Sequence, residues 1–118
     1  MTTATELVHK KCLACESGLP ALSIDQIRED LDALPEWRLT ADGRRIRREW
    51  RVKDFQTALD FFRDVGAVAE AEDHHPDLHL VGYRHVAIEI WTHIVGGLTE
   101  NDFILAAKID LVPVELKR

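Results

Sequence analysis

Glu70, His74, His75, Tyr83, His93 and Asp102 bring three imidazoles, two carboxylates and a phenol into one short span of the chain. Histidine is the side chain most readily poised to give and take protons near neutral pH. Such a cluster suits acid–base chemistry on a small molecule. Pro76 fixes the turn after His75 and restricts His75 to extended geometry. Neighbours in an extended segment point in different directions, so His74 and His75 are suited to different tasks.

Each residue also has a plainer reading. An isolated His-His-Pro is a polar loop between helix and strand, and Glu70 alone is a surface carboxylate. A lone histidine at a strand end, as His93 reads, is usually structural or exposed. Asp102 stands third inside a helix opened by Thr99, where an acidic side chain favours the helix start. Tyr83 reads as packing rather than chemistry.

Taken together, Glu70-x-x-x-His74-His75-Pro76, then Tyr83, Thr92-His93 and Asp102 resemble the signature of the pterin-4a-carbinolamine dehydratase family. Weaker similarity runs from about Ser23 to Asp110. The resemblance implies that a hydroxyl leaves carbon 4a and a proton leaves the adjacent nitrogen, giving a quinonoid dihydropterin in tetrahydrobiopterin recycling. His74, His75 and His93 are then catalytic, with His93 a candidate general acid for the hydroxyl. Glu70 contacts the donor-rich ring edge, Thr92 and Asp102 sit at the substrate, and Asp102 also orients His93. No cofactor and no metal are implied. Two other readings stay open. One is a binding module, because animal members also act as a dimerisation cofactor for a homeodomain transcription factor. The other is a dehydratase-like enzyme on a different pterin, for instance in molybdopterin metabolism. Trp91 occupies a position where small polar residues are common in the animal members. It lies two residues before His93, where it can shape a pocket rim or a dimer contact.

These residues need elements to hold them. Ser23 with Gln26 reads as a capping box, and Ile24, Ile27, Leu31 and Leu34 give a helix that Pro35 stops. A strand over 37–40, an Asp42-Gly43 turn and alternation through Ile46, Arg48, Trp50 and Val52 read as a hairpin. Residues 54–71 carry helical apolar spacing on two adjacent strips, one through Phe55, Ala58, Leu59, Phe62, Gly66 and Ala69 and one through Phe61, Val65 and Val68. Leu78–Val81, a turn at Gly82, and a strand from Val86 to His93 follow, with Val86, Ile88, Ile90 and Thr92 facing the core. Thr99 then opens a helix to about Leu111 that is apolar on most sides. The order predicts an α+β domain: a four-stranded antiparallel sheet with helices packed on one face, α-β-β-α-β-β-α. The resemblance implies the same architecture. The width of both apolar helix faces predicts a homodimer or homotetramer.

The 118 residues fit one domain, read as an irregular arm over 1–20 and a single domain over 21–118. Hydrophobic content of 46% with 31% charged residues fits a globular chain rather than a disordered one. No apolar run approaches the roughly 18 residues of a spanning helix, and no secretory h-region is visible, so the expectation is a cytoplasmic protein without a membrane partner. A net charge of −6 disfavours nucleic acid as a partner. The run Arg44-Arg45-Ile46-Arg47-Arg48 reads as a solvated strand edge or, alternatively, an anion patch. Cys12 and Cys15 make one Cys-x-x-Cys. A four-ligand zinc site needs two more ligands, and a thioredoxin-type motif needs a strand before it and a helix after it. Inert thiols, a metal half-site and redox function all remain open. His75 and His79 are four apart, but Pro76 makes helical metal-ligand spacing doubtful.

Overall fold

The computed structural model describes residues 2–13 and 18–118. Its elements are α1 (Ala4–His9), α2 (Ile24–Ala33), β1 (Arg38–Leu39), β2 (Ile46–Arg51), α3 (Phe55–Glu72), β3 (Asp77–Val81), β4 (His85–Ile90), a 3-10 turn (His93–Val95) and α4 (Glu100–Ile109). The four strands form one antiparallel sheet in the order β1-β2-β4-β3. β4 lies between β2 and β3, pairing Trp50 with Val86 on one side and Leu80 with Val86 on the other. α3 therefore carries the chain across β4 from one flanking strand to the other.

Strand alternation sorts the sheet's two faces. Ile46, Trp50, Val86, Ile88 and Ile90 are buried in one core with Ala58, Phe61 and Val65 of α3 and Phe103, Ile104 and Leu105 of α4. Removing one such side chain from water contributes about 1.5–3 kcal/mol. Arg47, Glu49 and Glu89 occupy the opposite face, where Arg47 pairs with both acids. The arginine run is thus only partly at a strand edge, and most of it is not free in solvent. β1 covers β2 at Ile46 and Arg47, and the cations of the run meet carboxylates: Arg45, just before β2, and Arg47 on Glu89, Arg48 on Asp110.

Two expectations change. Within the N-terminal stretch read as irregular, Ala4–His9 is helical. Thr3 caps it by accepting the Glu6 backbone N–H, and Leu7 is buried. This helix packs on α4. The second side of α4 is therefore covered by the chain itself, so its all-round apolar surface is no argument for oligomerisation. On α3, by contrast, Phe55 and Leu59 remain exposed while Ala58, Phe61, Val65 and Ala69 face the core.

Candidate active site

The end of α3 sets the direction of its histidine pair. Asp73 adopts the left-handed conformation at φ 52°, which Asp tolerates better than most residues. Its N–H reaches the Glu70 carbonyl, and the His74 N–H reaches the Ala69 carbonyl. This paired closure is a Schellman motif. It folds His74 back toward the protein and leaves His75 outside.

His74 is buried, and its Nε2 lies 2.7 Å from Oδ1 of Asp102. Asp102 is supplied by the first turn of α4. Its Oδ2 accepts the Thr99 backbone N–H at 2.8 Å and the Thr92 hydroxyl at 2.9 Å. The Thr99 hydroxyl lies 2.8 Å from that of Thr92. Asp102, Thr92 and Thr99 have no exposed surface. In this structure Asp102 and Thr92 thus present no surface of their own and bond only to protein groups. Asp102 holds His74, not His93 as the resemblance implied. A carboxylate accepting Nε2–H leaves Nδ1 as the lone-pair nitrogen of a neutral His74 ring.

His75 stands in solvent with Nε2 3.0 Å from Oε1 of Glu70, itself exposed. Glu70 is five residues back on the last turn of α3, so the two can meet around the helix end.

His93 does not end a strand. β4 stops at Ile90 because Thr92 turns inward to Asp102 and forms a bridge with Gly97. Gly96, at φ 64°, lets the chain reverse within a few residues. His93 opens the 3-10 turn and is exposed. Its ring still lies against Trp91, with centroids 4.1 Å apart. Trp91 Nε1–H donates to Asp77 Oδ2 at 3.1 Å, and the Arg45 guanidinium lies 4.7 Å over the indole. Segments 74–77 and 91–93 are thus tied at two points, through Asp102 and through Trp91–Asp77.

Asp77 had no signal in the sequence beyond its type, and Arg45 only its place in the arginine run, since strand register alone brings them beside Trp91. Tyr83, read as packing, is instead exposed in the β3–β4 turn at φ 58°. A concavity on the helix-free face, lined by Arg47, Arg51, His79 and His85 among others, contains none of the site residues. Cys15 lies outside the described residues, so the Cys-x-x-Cys pair has no structural account. Cys12 is buried. Burial first, then the charge of Glu72, pushes its thiol up to about 12, which leaves it protonated and unreactive at neutral pH. Among the described residues, no helix is long and apolar enough to cross a membrane.

A family model for pterin 4 alpha carbinolamine dehydratase matches residues 20–112. Pterin-4-alpha-carbinolamine dehydratase 2, mitochondrial, of Arabidopsis thaliana is 50% identical over 113 residues, covering 93% of this chain and 60% of that protein. A Halorhodospira halophila protein provisionally given the same dehydratase name is 46% identical, covering 88% of this chain and 94% of that one. Among solved structures, a transcriptional coactivator/pterin dehydratase from Brucella melitensis superposes with a TM-score of 0.74 at 32% identity, covering 79% of this chain and 98% of that one. With the family model spanning most of its length, the chain belongs to the pterin-4a-carbinolamine dehydratase family.

Proposed function

We propose that the protein dehydrates 4a-hydroxytetrahydrobiopterin to the quinonoid dihydropterin by histidine acid–base catalysis, in tetrahydrobiopterin recycling. The observation that carries this reading is the buried His74–Asp102 pair, with exposed His75 next to His74 in the chain and exposed His93 next to Thr92, which also bonds Asp102. Dehydration needs one group to protonate the departing hydroxyl and another to accept the nitrogen proton. His93, exposed and backed by Trp91, serves as the acid. His74, with its lone pair on Nδ1, serves as the base. His75 and Glu70, at the rim, bind and orient the pterin's donor-rich edge. Asp102 and Thr92 are positioning residues that act through His74. Each proton transfer is worth roughly 10²–10⁴-fold, and none requires a redox partner or a Lewis acid.

The test is ultraviolet absorbance during dehydration of a 4a-hydroxytetrahydropterin by purified protein. Wild type should accelerate it, His74→Ala should lose most of the acceleration, and exhaustive chelation should leave the rate unchanged. No acceleration by wild type would overturn the reading, and loss on chelation with recovery on zinc would overturn its metal independence. A second reading, a protein-binding module, is favoured by the Brucella relative, described as a coactivator as well as a dehydratase. Exposed Phe55 and Leu59 on α3 supply a surface for it. Full turnover with no partner present would make that role additional rather than alternative.

A further inference from the structure

Glu72 and Asn101 stand two residues and one residue from the buried His74–Asp102 pair, yet the chemistry proposed above uses neither. Both face the N-terminal segment that precedes the family-matched region. The Cys12 backbone N–H donates to Glu72 Oε1 at 2.8 Å, and Lys108 Nζ donates to Oε2 at 2.8 Å. The Leu13 N–H donates to Asn101 Oδ1 at 2.9 Å, and Asn101 Nδ2 donates back to the Leu13 carbonyl at 2.7 Å. The Asn101 amide thus pairs with a backbone unit as a neighbouring strand would. The Cys12 thiol lies 3.5 Å from the Asn101 carbonyl, and Lys11 Nζ donates to the Ala71 carbonyl at 3.0 Å. Cys12, Glu72 and Asn101 are all buried.

Two helix ends meet at this seam. Glu72 closes α3 just before His74, and Asn101 precedes Asp102 in the first turn of α4. The backbone of Cys12 and Leu13, with the Lys11 side chain, bonds to both ends at once, so it sets how far one stands from the other. The Cys12 contacts are buried and admit little slack, because a displaced donor or acceptor is left unsatisfied away from water, while the Leu13–Asn101 pair is half-buried and fixes the seam by its two-bond geometry.

We propose that Lys11–Leu13 is a positioning element of the active site: it clamps the end of α3 to the start of α4 and so holds His74 Nε2 on Asp102. This deepens the dehydratase reading and rests on it for the catalytic consequence alone. It gives the Cys12 end of the Cys-x-x-Cys motif a role through its backbone, with no thiol chemistry.

The test compares Leu13→Pro with Leu13→Ala in the full chain. Proline removes the Leu13 N–H and leaves every side chain of α3 and α4 in place. Alanine keeps that N–H and trims a side chain that is 59% exposed. One readout is the proton resonance of the His74 imidazole N–H; the others are kcat and KM for the 4a-hydroxytetrahydropterin. Leu13→Pro should shift or broaden the resonance and lower kcat roughly 10-fold with KM nearly unchanged, inside the range of up to about 10²-fold that small misplacements produce. Leu13→Ala should match wild type in every readout. Asn101→Ala, which empties the other side of the seam, should reproduce the proline effect and decides the matter if Leu13→Pro does not fold. A folded Leu13→Pro or Asn101→Ala with an unchanged resonance and kcat overturns the proposal, as does equal loss in Leu13→Ala. If wild type has no turnover, the dehydratase reading fails, while the His74 resonance still decides the clamp.

Discussion

His74 Nε2 and Asp102 Oδ1 lie 2.7 Å apart, and the two residues come from the end of one helix and the start of another. The carboxylate has a second duty, since its Oδ2 accepts the Thr99 N–H and the Thr92 hydroxyl. Asp102→Asn separates these duties. The amide oxygen can still accept from Thr99 and Thr92, but the amide nitrogen then confronts His74. The ring must present a lone pair at Nε2 and carry its proton on Nδ1, the wrong tautomer for a base acting through Nδ1. We expect kcat to fall about 10²-fold or more, the scale of one lost proton transfer. The thermal midpoint should fall much less than for Asp102→Ala, which leaves several buried donors unpaired at about 1–3 kcal/mol each. A kcat for Asp102→Asn within threefold of wild type, measured by absorbance, rules out this role.

The parts of this site that periodicity controls were legible in the sequence. The helical span of α3, the alternation in β2 and β4, and the acidic N3 position of Asp102 all follow from 3.6- and 2-residue repeats and from capping chemistry. The core face of α3 does not, since it takes Ala58 and Ala69 from one apolar strip and Phe61 and Val65 from the other. The partner of Asp102 was not legible. His74 reaches it only because Asp73 adopts a left-handed conformation and α4 packs beside the end of α3, and both are tertiary facts. His93 went astray for a related reason. Alternation through Thr92 extends the strand on paper, but the buried bond to Asp102 pulls Thr92 out of the ladder. The helix Ala4–His9 was missed because one buried Leu7 over a single short helix is too weak a pattern without α4 to pack on.

His93 and Trp91 should separate chemistry from orientation. His93→Ala is expected to lower turnover roughly 10²-fold or more, the loss of one general acid. Trp91→Phe keeps a ring face against His93 and removes only the N–H bond to Asp77, so its loss should stay below about 10-fold, short of a full proton-transfer effect. Trp91→Ala should fall between the two. A Trp91→Phe enzyme as slow as His93→Ala would show that the Trp91–Asp77 bond is as necessary to the step as the imidazole, against a purely orienting role for the ring face.

The exposed pair Phe55 and Leu59 predicts self-association through α3. They lie one helical turn apart on the face turned away from the core, 50% and 41% exposed. We expect a dimer or tetramer by light scattering at micromolar concentration. Leu59→Lys should shift it toward monomer while helical content, followed by circular dichroism, is retained. A monomeric wild type refutes the association. An unshifted Leu59→Lys oligomer moves the interface away from α3.

The seam between Cys12 and Glu72 predicts opposite stability changes at the two ends of the pH scale. Burial, followed by the Glu72 charge, raises the Cys12 thiol from its ordinary 9.0 to about 12. The folded state then keeps a proton that the unfolded chain releases. This contribution is fully present below about pH 9 and is lost as pH rises toward about pH 12. For Glu72, burial acts upward, but bonds from Lys108 and the Cys12 N–H outweigh it and hold the carboxyl below its ordinary 4.5. Its stabilisation is present above that value and is lost as pH falls through the lower folded-state value. Cys12→Ser, in a Cys15→Ser background, should therefore flatten the alkaline decline in thermal midpoint and leave the acid limb unchanged. Glu72→Gln should flatten the acid limb and, by removing a charge from beside the thiol, speed native-state alkylation of Cys12. An alkaline limb that is the same with and without Cys12 would place the thiol outside this linkage.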